Sequence, residues 1–310
     1  MSPAPGHEAL DVSWDFEWWN TGSFEARGFF SHLQAGWAKA EHRAHVGLLQ
    51  LPGRSVLFDV GYAPRFHDCA APRLASIYRW ATPATIPPGS SVRERLAGRK
   101  VDQLLLSHWH ADHTGGLLDI PEASVWRPFS SHEAVRQEAL SACAPLKGVL
   151  VGQFPDDLPG RPGESLSARL RNVEAAPLMA LPVDRWPFLA ELDGRCRDVF
   201  GDGSLATVDL PGHALGHYGV LFQTQLAGRS ALVLLCGDAV WDERELTSGW
   251  QRGPAAFFGF RSLGQAAETT RMLRRLYQAA KACGMERDLH ILPTHCRLAA
   301  SRFVASGGRD

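Results

Sequence analysis

Residues 104–120 decide how the rest of this chain is interpreted, and they read Leu-Leu-Leu-Ser-His-Trp-His-Ala-Asp-His-Thr-Gly-Gly-Leu-Leu-Asp-Ile. The three leucines have the character of a buried strand end, because polar and turn-forming residues follow them at once. Four metal-binding side chains then crowd into the six positions after Ser107: His108, His110, Asp112 and His113. Imidazole and carboxylate groups are ligands that zinc and similar divalent cations prefer. The stretch therefore predicts a metal site on a strand-to-helix turn, with Gly115 and Gly116 allowing a sharp turn after it.

More histidines and aspartates stand at the ends of other predicted strands. They occur in the order Asp59, His213, Asp238 and His295. A strand that ends in Gly-Asp is common, so each of these positions carries little information alone. Their value lies in their number and order behind the His-x-His-x-Asp-His turn.

With these residues, the chain resembles the metallo-β-lactamase superfamily from about residue 45 to the C-terminus. The resemblance implies an α/β (α+β) fold, a four-layer αββα sandwich, formed by residues 1–310 as a single domain. About one hundred residues separate His113 from His213, which is more than a plain sandwich needs. Long irregular segments are usually functional lids or disordered. We expect residues 143–203 to form an ordered cap near the active site, and a flexible insertion is the alternative.

The candidate ligands are five histidines and two aspartates, more than one four-coordinate ion can use. The resemblance implies two metals, the first bound by His108, His110 and His213 and the second by Asp112, His113 and His295. It makes Asp238 the bridge between them. It also implies that Asp59 and His217 support the ligands without binding metal, as such outer groups commonly do.

The resemblance further implies hydrolysis by a hydroxide that bridges the two metals. Bound metal lowers the pKa of water from 15.7 to about 7. Asp112 is the candidate that accepts the proton of the nucleophile and passes it to the leaving group, and Asp238 is the second catalytic candidate. Zinc is the expected metal, with iron and manganese as alternatives, because ligand residues alone do not fix the metal.

In motif style the chain is similar to N-acyl homoserine lactone lactonases, which share Pro-Gly-His-x-x-Gly-His (residues 211–217) and Gly-Asp-Ala (residues 237–239). Those enzymes typically carry a tyrosine three residues beyond the bridging aspartate, where this chain has Trp241. An indole donates one hydrogen bond but has no acidic hydroxyl. Trp241 is therefore the candidate substrate-pocket residue, and the predicted reaction is hydrolysis of an ester, lactone or similar carbonyl bond in a small molecule.

Other functions are weighed against this prediction. A glyoxalase-II-like thioesterase shares the histidine motif but needs a basic site, for which the arginines of residues 143–203 are candidates. An iron-dependent persulfide-oxidising enzyme is a further alternative. A flavodiiron enzyme normally has glutamate where His110 stands, and a non-enzymatic scaffold would be expected to have lost ligands.

Composition limits the partners. The 310 residues carry a net charge of −1, which provides no basic field for nucleic acid and little attraction to anionic membranes. We see no span of about 20 apolar residues and no signal peptide. The six cysteines are scattered without a Cys-x-x-Cys pair, so we expect a cytoplasmic protein. The predicted partner is a small-molecule substrate, and a homodimer is left open.

The remaining segments support less specific predictions. Residues 11–18 alternate as an exposed strand would, and the early tryptophans suit either an aromatic wall or ordinary core packing. His42 and His45 are expected to be solvated. Strands are predicted at residues 46–50, 55–60, 101–107, 124–126, 205–210, 218–224, 231–236 and 289–292. Helices are predicted at residues 91–97, 131–142 and 263–283, with His132 near the start of the second.

Overall fold

The computed structural model describes residues 8–68, 76, 79–80, 82–120, 123–127, 148–150 and 170–310. Twelve strands lie in this part of the chain: β1 (Ser13–Arg27), β2 (Lys39–Leu51), β3 (Arg54–Phe58), β4 (Ala84–Thr85), β5 (Gln103–Leu105), β6 (Ser124–Arg127), β7 (Leu170–Asn172), β8 (Cys196–Asp198), β9 (Leu205–Asp209), β10 (Tyr218–Leu226), β11 (Arg229–Gly237) and β12 (Leu289–Pro293).

The helices within the described ranges are mostly short. They are α1 (Gly28–Ser31), α2 (Arg65–Asp68), α3 (Val92–Leu96), α4 (Ala111–Thr114), α5 (Arg244–Thr247), α6 (Ala256–Gly259), α7 (Leu263–Ala282) and α8 (Arg297–Ala305). Short 3-10 helices cover Leu33–Ala35, Leu117–Asp119, Val173–Ala175 and Pro187–Leu192. No helix among these residues is both long enough and apolar enough to cross a membrane.

Strand β1 joins two sheets. Its first residues, Ser13 and Trp14, pair in parallel with β10, whereas residues from Asp15 onward pair antiparallel with β2. The strand order is therefore β12-β11-β10-β1-β2-β3-β5-β6-β7, with β9 also on β10, β8 on β9, and β4 on β1. Because β1 pairs with strands of both sheets, the continuous strand order can fold into two sheets packed face to face.

The buried side chains divide into three layers that follow from strand alternation. Val220 and Phe222 of β10 face the space between the sheets, where they meet Phe16 and Phe58. Leu221 points the other way, into a cluster with residues of α7. On the outer face of the other sheet, the buried side chains of β2, β3 and β5 pack with Val92 and Leu96 of α3. This order of helix, sheet, sheet and helix confirms the predicted αββα sandwich.

The N-terminal strand was expected to be exposed, and this prediction is wrong. Trp14, Phe16 and Trp18 occupy alternate positions on β1 and are each at most 3% exposed. Because β1 connects the two sheets, the side chains on one of its faces fill the core between them. Of the four early tryptophans only Trp37 is exposed, so ordinary core packing accounts for the other three.

The other predicted elements have three outcomes. The predicted strands and the helices at 91–97 and 263–283 are present, with ends that shift by a few residues. The predicted helix 131–142 and His132 lie outside the described residues, as do 143–147 and 151–169 of the predicted cap. The described residues 170–203 add β7 and β8 to the sheets and place Trp186 and Phe188 in the cluster with α7; the cap itself stays a prediction.

Candidate metal centre

Parallel strand pairs bring the candidate ligands to one edge of the sandwich. Strand β5 runs parallel to β3, so the turn that follows β5 lies beside Asp59, which follows β3. Strand β11 runs parallel to β12, so Asp238 and His295 leave the same edge. The turn after β5 carries His108 and His110, and α4 carries Asp112 and His113, into the space between these strand ends.

Seven side chains gather there in two groups. The tri-histidine group consists of His108, His110 and His213, and the mixed group consists of Asp112, His113, Asp238 and His295. Within each group the potential ligand atoms lie within 4.8 Å of one another. All seven are buried except His110, which is partly exposed. These are the seven residues that the sequence nominated as ligands, and either group could hold a metal ion.

The arrangement of the potential ligand atoms suits binding of a cation better than hydrogen bonding between the side chains. Nε2 of His213 lies 3.0 Å from Nδ1 of His110. Nε2 of His108 is buried without a hydrogen-bond partner among the described residues, and Nε2 of His113 and Oδ1 of Asp238 are buried 3.3 Å apart without the geometry of a hydrogen bond. Buried polar atoms without a partner are rare and costly. Several of them facing one space suit divalent metal ions, which imidazole and carboxylate ligands bind.

Asp238 reaches both groups with one carboxylate. Its Oδ2 lies 3.4 Å from Nε2 of His213 in the tri-histidine group. In the mixed group, Oδ2 is 3.0 Å from Nε2 of His295 and Oδ1 is 3.3 Å from Nε2 of His113. Burial raises the pKa of Asp238, but the surrounding histidines outweigh burial and hold that pKa well below its ordinary value. The side chain is therefore an anion between two groups of imidazoles.

Asp59 and Ser107 orient the rings of His108 and His113 through contacts to their Nδ1 atoms. Asp59 is fully buried with φ of 59°, a left-handed conformation that aspartate tolerates. Its Oδ2 accepts hydrogen bonds from the Ser107 hydroxyl and from Nδ1 of His113, both at 2.7 Å. The Ser107 hydroxyl in turn lies 3.0 Å from Nδ1 of His108. With these Nδ1 atoms occupied, Nε2 of each ring is left for a cation.

His217 holds the backbone at Asp238 instead of joining either group. Its Nδ1 donates to the Leu210 carbonyl at 2.9 Å, and its Nε2 accepts the amide of Asp238 at 3.0 Å. Gly237 is needed at this contact, because a Cβ there would lie 2.7 Å from that Nε2 and φ is 54°. His217 thus has both ring nitrogens occupied by backbone groups.

His42 and His45 correct a second expectation, since both are buried instead of solvated. His45 stacks on Trp18 and donates from Nδ1 to the Thr294 carbonyl at 2.7 Å. His42 lies 2.8 Å from the Ser31 hydroxyl. Burial lowers the pKa of His42 to about 3 and that of His45 to about 4. These neutral rings support the segment of His295, whose own Nδ1 donates to the Arg43 carbonyl at 2.6 Å.

Gly115 and Gly116 serve a purpose other than the sharp turn that the sequence suggested. Their φ values are −54° and −85°, which any residue adopts. A Cβ on Gly115 would lie 2.5 Å from the Gly61 carbonyl oxygen, and one on Gly116 would lie 2.7 Å from the Val60 carbonyl oxygen. The pair therefore allows the histidine turn to pack directly on the backbone that carries Asp59.

A cavity of about 280 Å³ opens beside the tri-histidine group. His110 and His213 line it, and no member of the mixed group does. The rest of its lining is mainly apolar: Trp109, Val149, Ala214, Leu215, Phe258, Gly259, Phe260 and Arg261. Trp241 does not line this cavity, but its ring lies 4.9 Å from that of Phe260 and 6.5 Å from that of His213.

Sequence reasoning missed several residues around the centre. Phe258 and Phe260 gave no signal, because aromatic residues in a loop of unknown position do not reveal which cavity they line. Three charged or titratable residues behind Trp241 were also missed: His32, Glu245 and Arg252. They stand far apart along the chain and meet only in the folded protein.

Comparison with known proteins agrees with this geometry. The family model of the metallo-beta-lactamase superfamily matches residues 41–278, which is more than half of the chain. The N-acyl homoserine lactonase AttM of Rhizobium johnstonii is 28% identical over 189 residues, covering 60% of this chain and 56% of AttM. AttM of Azorhizobium caulinodans matches to the same extent. The chain thus matches little more than half the length of these curated relatives.

Solved structures show the same fold. An N-acyl homoserine lactone hydrolase with N-hexanoyl-L-homoserine bound at its catalytic metal center aligns with a TM-score of 0.59 at 14% identity, covering 94% of this chain and 96% of that one. AidC, a dizinc quorum-quenching lactonase, aligns with a TM-score of 0.56 at 12% identity, covering 94% and 91%. The matched family model, the sandwich and the paired histidine and aspartate groups lead to one conclusion: this chain belongs to the metallo-beta-lactamase superfamily.

Proposed function

We propose that the protein is a metal-dependent hydrolase that cleaves an ester, lactone or similar carbonyl bond in a small, partly apolar molecule. The observation that carries the proposal is the pair of ligand groups joined by Asp238 at the edge of an apolar cavity. The named activity of the AttM relatives supports lactones as the first substrates to test.

In this proposal each group holds one divalent cation. His108, His110 and His213 would hold the first, and Asp112, His113 and His295 would hold the second, with the Asp238 carboxylate placed between the two groups. Such cations supply two things when bound: a water of lowered pKa and polarisation of a substrate carbonyl. Zinc suits a donor set of imidazoles and carboxylates, and the dizinc neighbour AidC supports that choice.

The residues of the chain have distinct tasks in such a reaction. Asp238, held as an anion by its histidines, fixes the separation of the two groups. Asp112 is the proton carrier in this proposal, because its Oδ2 lies 3.4 Å from Nε2 of His295 at the margin of the site and it is 8% exposed. The apolar lining near His110 and His213 excludes water and binds the apolar part of the substrate.

The test combines metal analysis with a panel of lactones, aryl esters and thioesters, using protein purified without added metal. We expect about two ions per chain. Hydrolysis should be lost in His110→Ala, which removes a tri-histidine ligand. The matched control is His67→Ala, which removes an exposed histidine of α2. Retained hydrolysis in His110→Ala, or protein that binds no metal, would refute the proposal, and one iron per chain without hydrolysis would indicate oxidative chemistry instead.

A further inference from the structure

A buried ion network lies next to Trp241, whose ring packs on the cavity residue Phe260. At its centre is Glu245 of α5, whose side chain is only 2% exposed. Nε2 of His32 lies 3.0 Å from its Oε1, and Nε of Arg252 lies 2.9 Å from its Oε2. His32 follows α1, whereas Arg252 comes from the segment before α6. One carboxylate thus joins two distant parts of the chain.

The network holds the loop between β11 and α5 at several backbone atoms. Oε1 of Glu245 accepts hydrogen bonds from the amides of Trp241 at 2.7 Å and Asp242 at 3.3 Å. Arg252 donates from Nη2 to the carbonyl of Ala239 at 2.6 Å. Ala239 is the residue next to Asp238, so both ends of the 239–242 segment are tied to the same ion pair.

Capping of α5 does not by itself explain this arrangement. A glutamate in the first turn of a helix often accepts the preceding amides, and a solvent-exposed carboxylate serves that purpose equally well. Here the carboxylate is buried, which is unfavourable unless partners compensate for the lost water. Arg252 also stacks on Phe260, with Cζ 4.1 Å from the ring centroid. Phe260 lines the cavity and contacts Trp241.

We infer that Glu245 is a positioning residue that fixes Trp241 directly and Phe260 through Arg252, beside the candidate metal centre, and so determines which substrates fit. The inference rests on the proposed hydrolase function for its kinetic part. Glu245 lies behind Trp241 and does not line the cavity, so it acts only through the residues it holds. Loss of the carboxylate charge frees Arg252, and the 239–242 segment then shifts relative to His213.

The test compares two buried glutamates near the start of α5. Glu245→Gln removes the negative charge of the carboxylate at the centre of the network, and Glu243→Gln is the matched control. Glu243 is also buried, at 4% exposure, but its carboxylate pairs with Arg302 and, within the described part of the chain, forms no hydrogen bond with residues 239–242. The readout is the ratio of kcat/KM for a bulky aryl ester to that for a small one.

We expect that ratio to change by about tenfold in Glu245→Gln, because misplacement by about 1 Å carries penalties of this order or greater, and to change by less than about twofold in Glu243→Gln. Loss of folded or metal-loaded enzyme lowers both rates equally and leaves the ratio unmoved. An unchanged ratio in Glu245→Gln, or equal changes in the two variants, would overturn the inference.

A crystal structure of Glu245→Gln separates this inference from the proposed function. The inference requires Trp241 to move from its place 6.5 Å from the His213 ring, and an unmoved ring refutes it whether or not any ester is hydrolysed. A displaced ring in a protein whose wild type hydrolyses nothing would instead refute the proposed function. If Glu245→Gln does not fold, Arg252→Lys replaces it, since one amine cannot reach Glu245 and Ala239 as the guanidinium does.

Discussion

The tri-histidine group and the mixed group are built from different chemistry although they share Asp238. The tri-histidine group has no carboxylate of its own and borders the cavity. The mixed group contains two carboxylates, and none of its members lines the cavity. The tri-histidine group therefore faces the cavity, while the mixed group concentrates negative charge behind it.

The surroundings shift histidine pKa values in opposite directions in the two groups. Burial lowers the pKa of His108 and of His213 well below the ordinary value, and neighbouring histidines lower both further. Burial also acts on His113, but Asp238, Asp59 and Asp112 outweigh it and raise its pKa well above the ordinary value. A cation in the mixed group would therefore compete with protons more strongly than a cation in the tri-histidine group.

Substitution of the shared residue should give the largest effect, because it damages both groups. In Asp238→Asn the anion is lost, and we expect kcat/KM to fall about a thousandfold, equal to about 4 kcal/mol. Metal analysis should show fewer than two ions per chain. Asp288→Asn, which removes a carboxylate paired with Arg229 far from the centre, is the control. Full metal content and activity in Asp238→Asn would remove the basis for treating the two groups as one centre.

The groups should also differ in how much they depend on their supporting residues. His113 is held by the Asp59 carboxylate, whereas His108 is held by the neutral Ser107 hydroxyl. We expect Asp59→Asn to weaken metal binding in the mixed group by about 10- to 100-fold, the usual cost of losing such a partner. Ser107→Ala should cost less, since neutral hydrogen bonds are weaker than charge-assisted ones.

A two-step metal titration monitored by calorimetry would measure both variants. The expected pattern is one weakened step in Asp59→Asn and a smaller change in Ser107→Ala. If Ser107→Ala proves the more damaging variant, the hydroxyl and not the carboxylate is the main support of the histidine turn, and the contrast drawn between the groups is wrong.

The sequence predicted the candidate ligands of the two groups better than it predicted the residues that surround them. The His-x-His-x-Asp-His turn is local, and strands that end in Asp238 and His295 are visible as apolar runs. Parallel pairing of β11 with β12 then brings those ends together. The αββα arrangement was implied by the family resemblance and not by periodicity alone, and the three packing layers confirm it.

Features that depend on distant partners could not be predicted. His45 is buried because its strand lies beside Thr294 and its ring covers Trp18. No pattern in the sequence marks Glu245 as buried, and only the fold places His32 and Arg252 around it. The roles of Gly115 and Gly116 likewise depend on backbone from residues 60–63, which lie over fifty positions earlier. Burial and ion pairing at such sites follow from tertiary contacts that local patterns do not encode.

The smallest predicted effect is the loss of bound metal at low pH. A raised pKa at His113 means that protons compete with the cation of the mixed group as the pH falls, whereas the lowered pKa values of His108 and His213 protect the tri-histidine group. Below the pKa of His113, metal affinity of the mixed group should fall about tenfold per pH unit. Dialysis at decreasing pH, followed by metal analysis, should therefore show one ion lost before the other.

His295→Ala, which already weakens the mixed group, should abolish the first step and leave the second. Simultaneous loss of both ions in the wild-type protein would mean that Asp238 couples the two groups so tightly that their different surroundings have no separate effect.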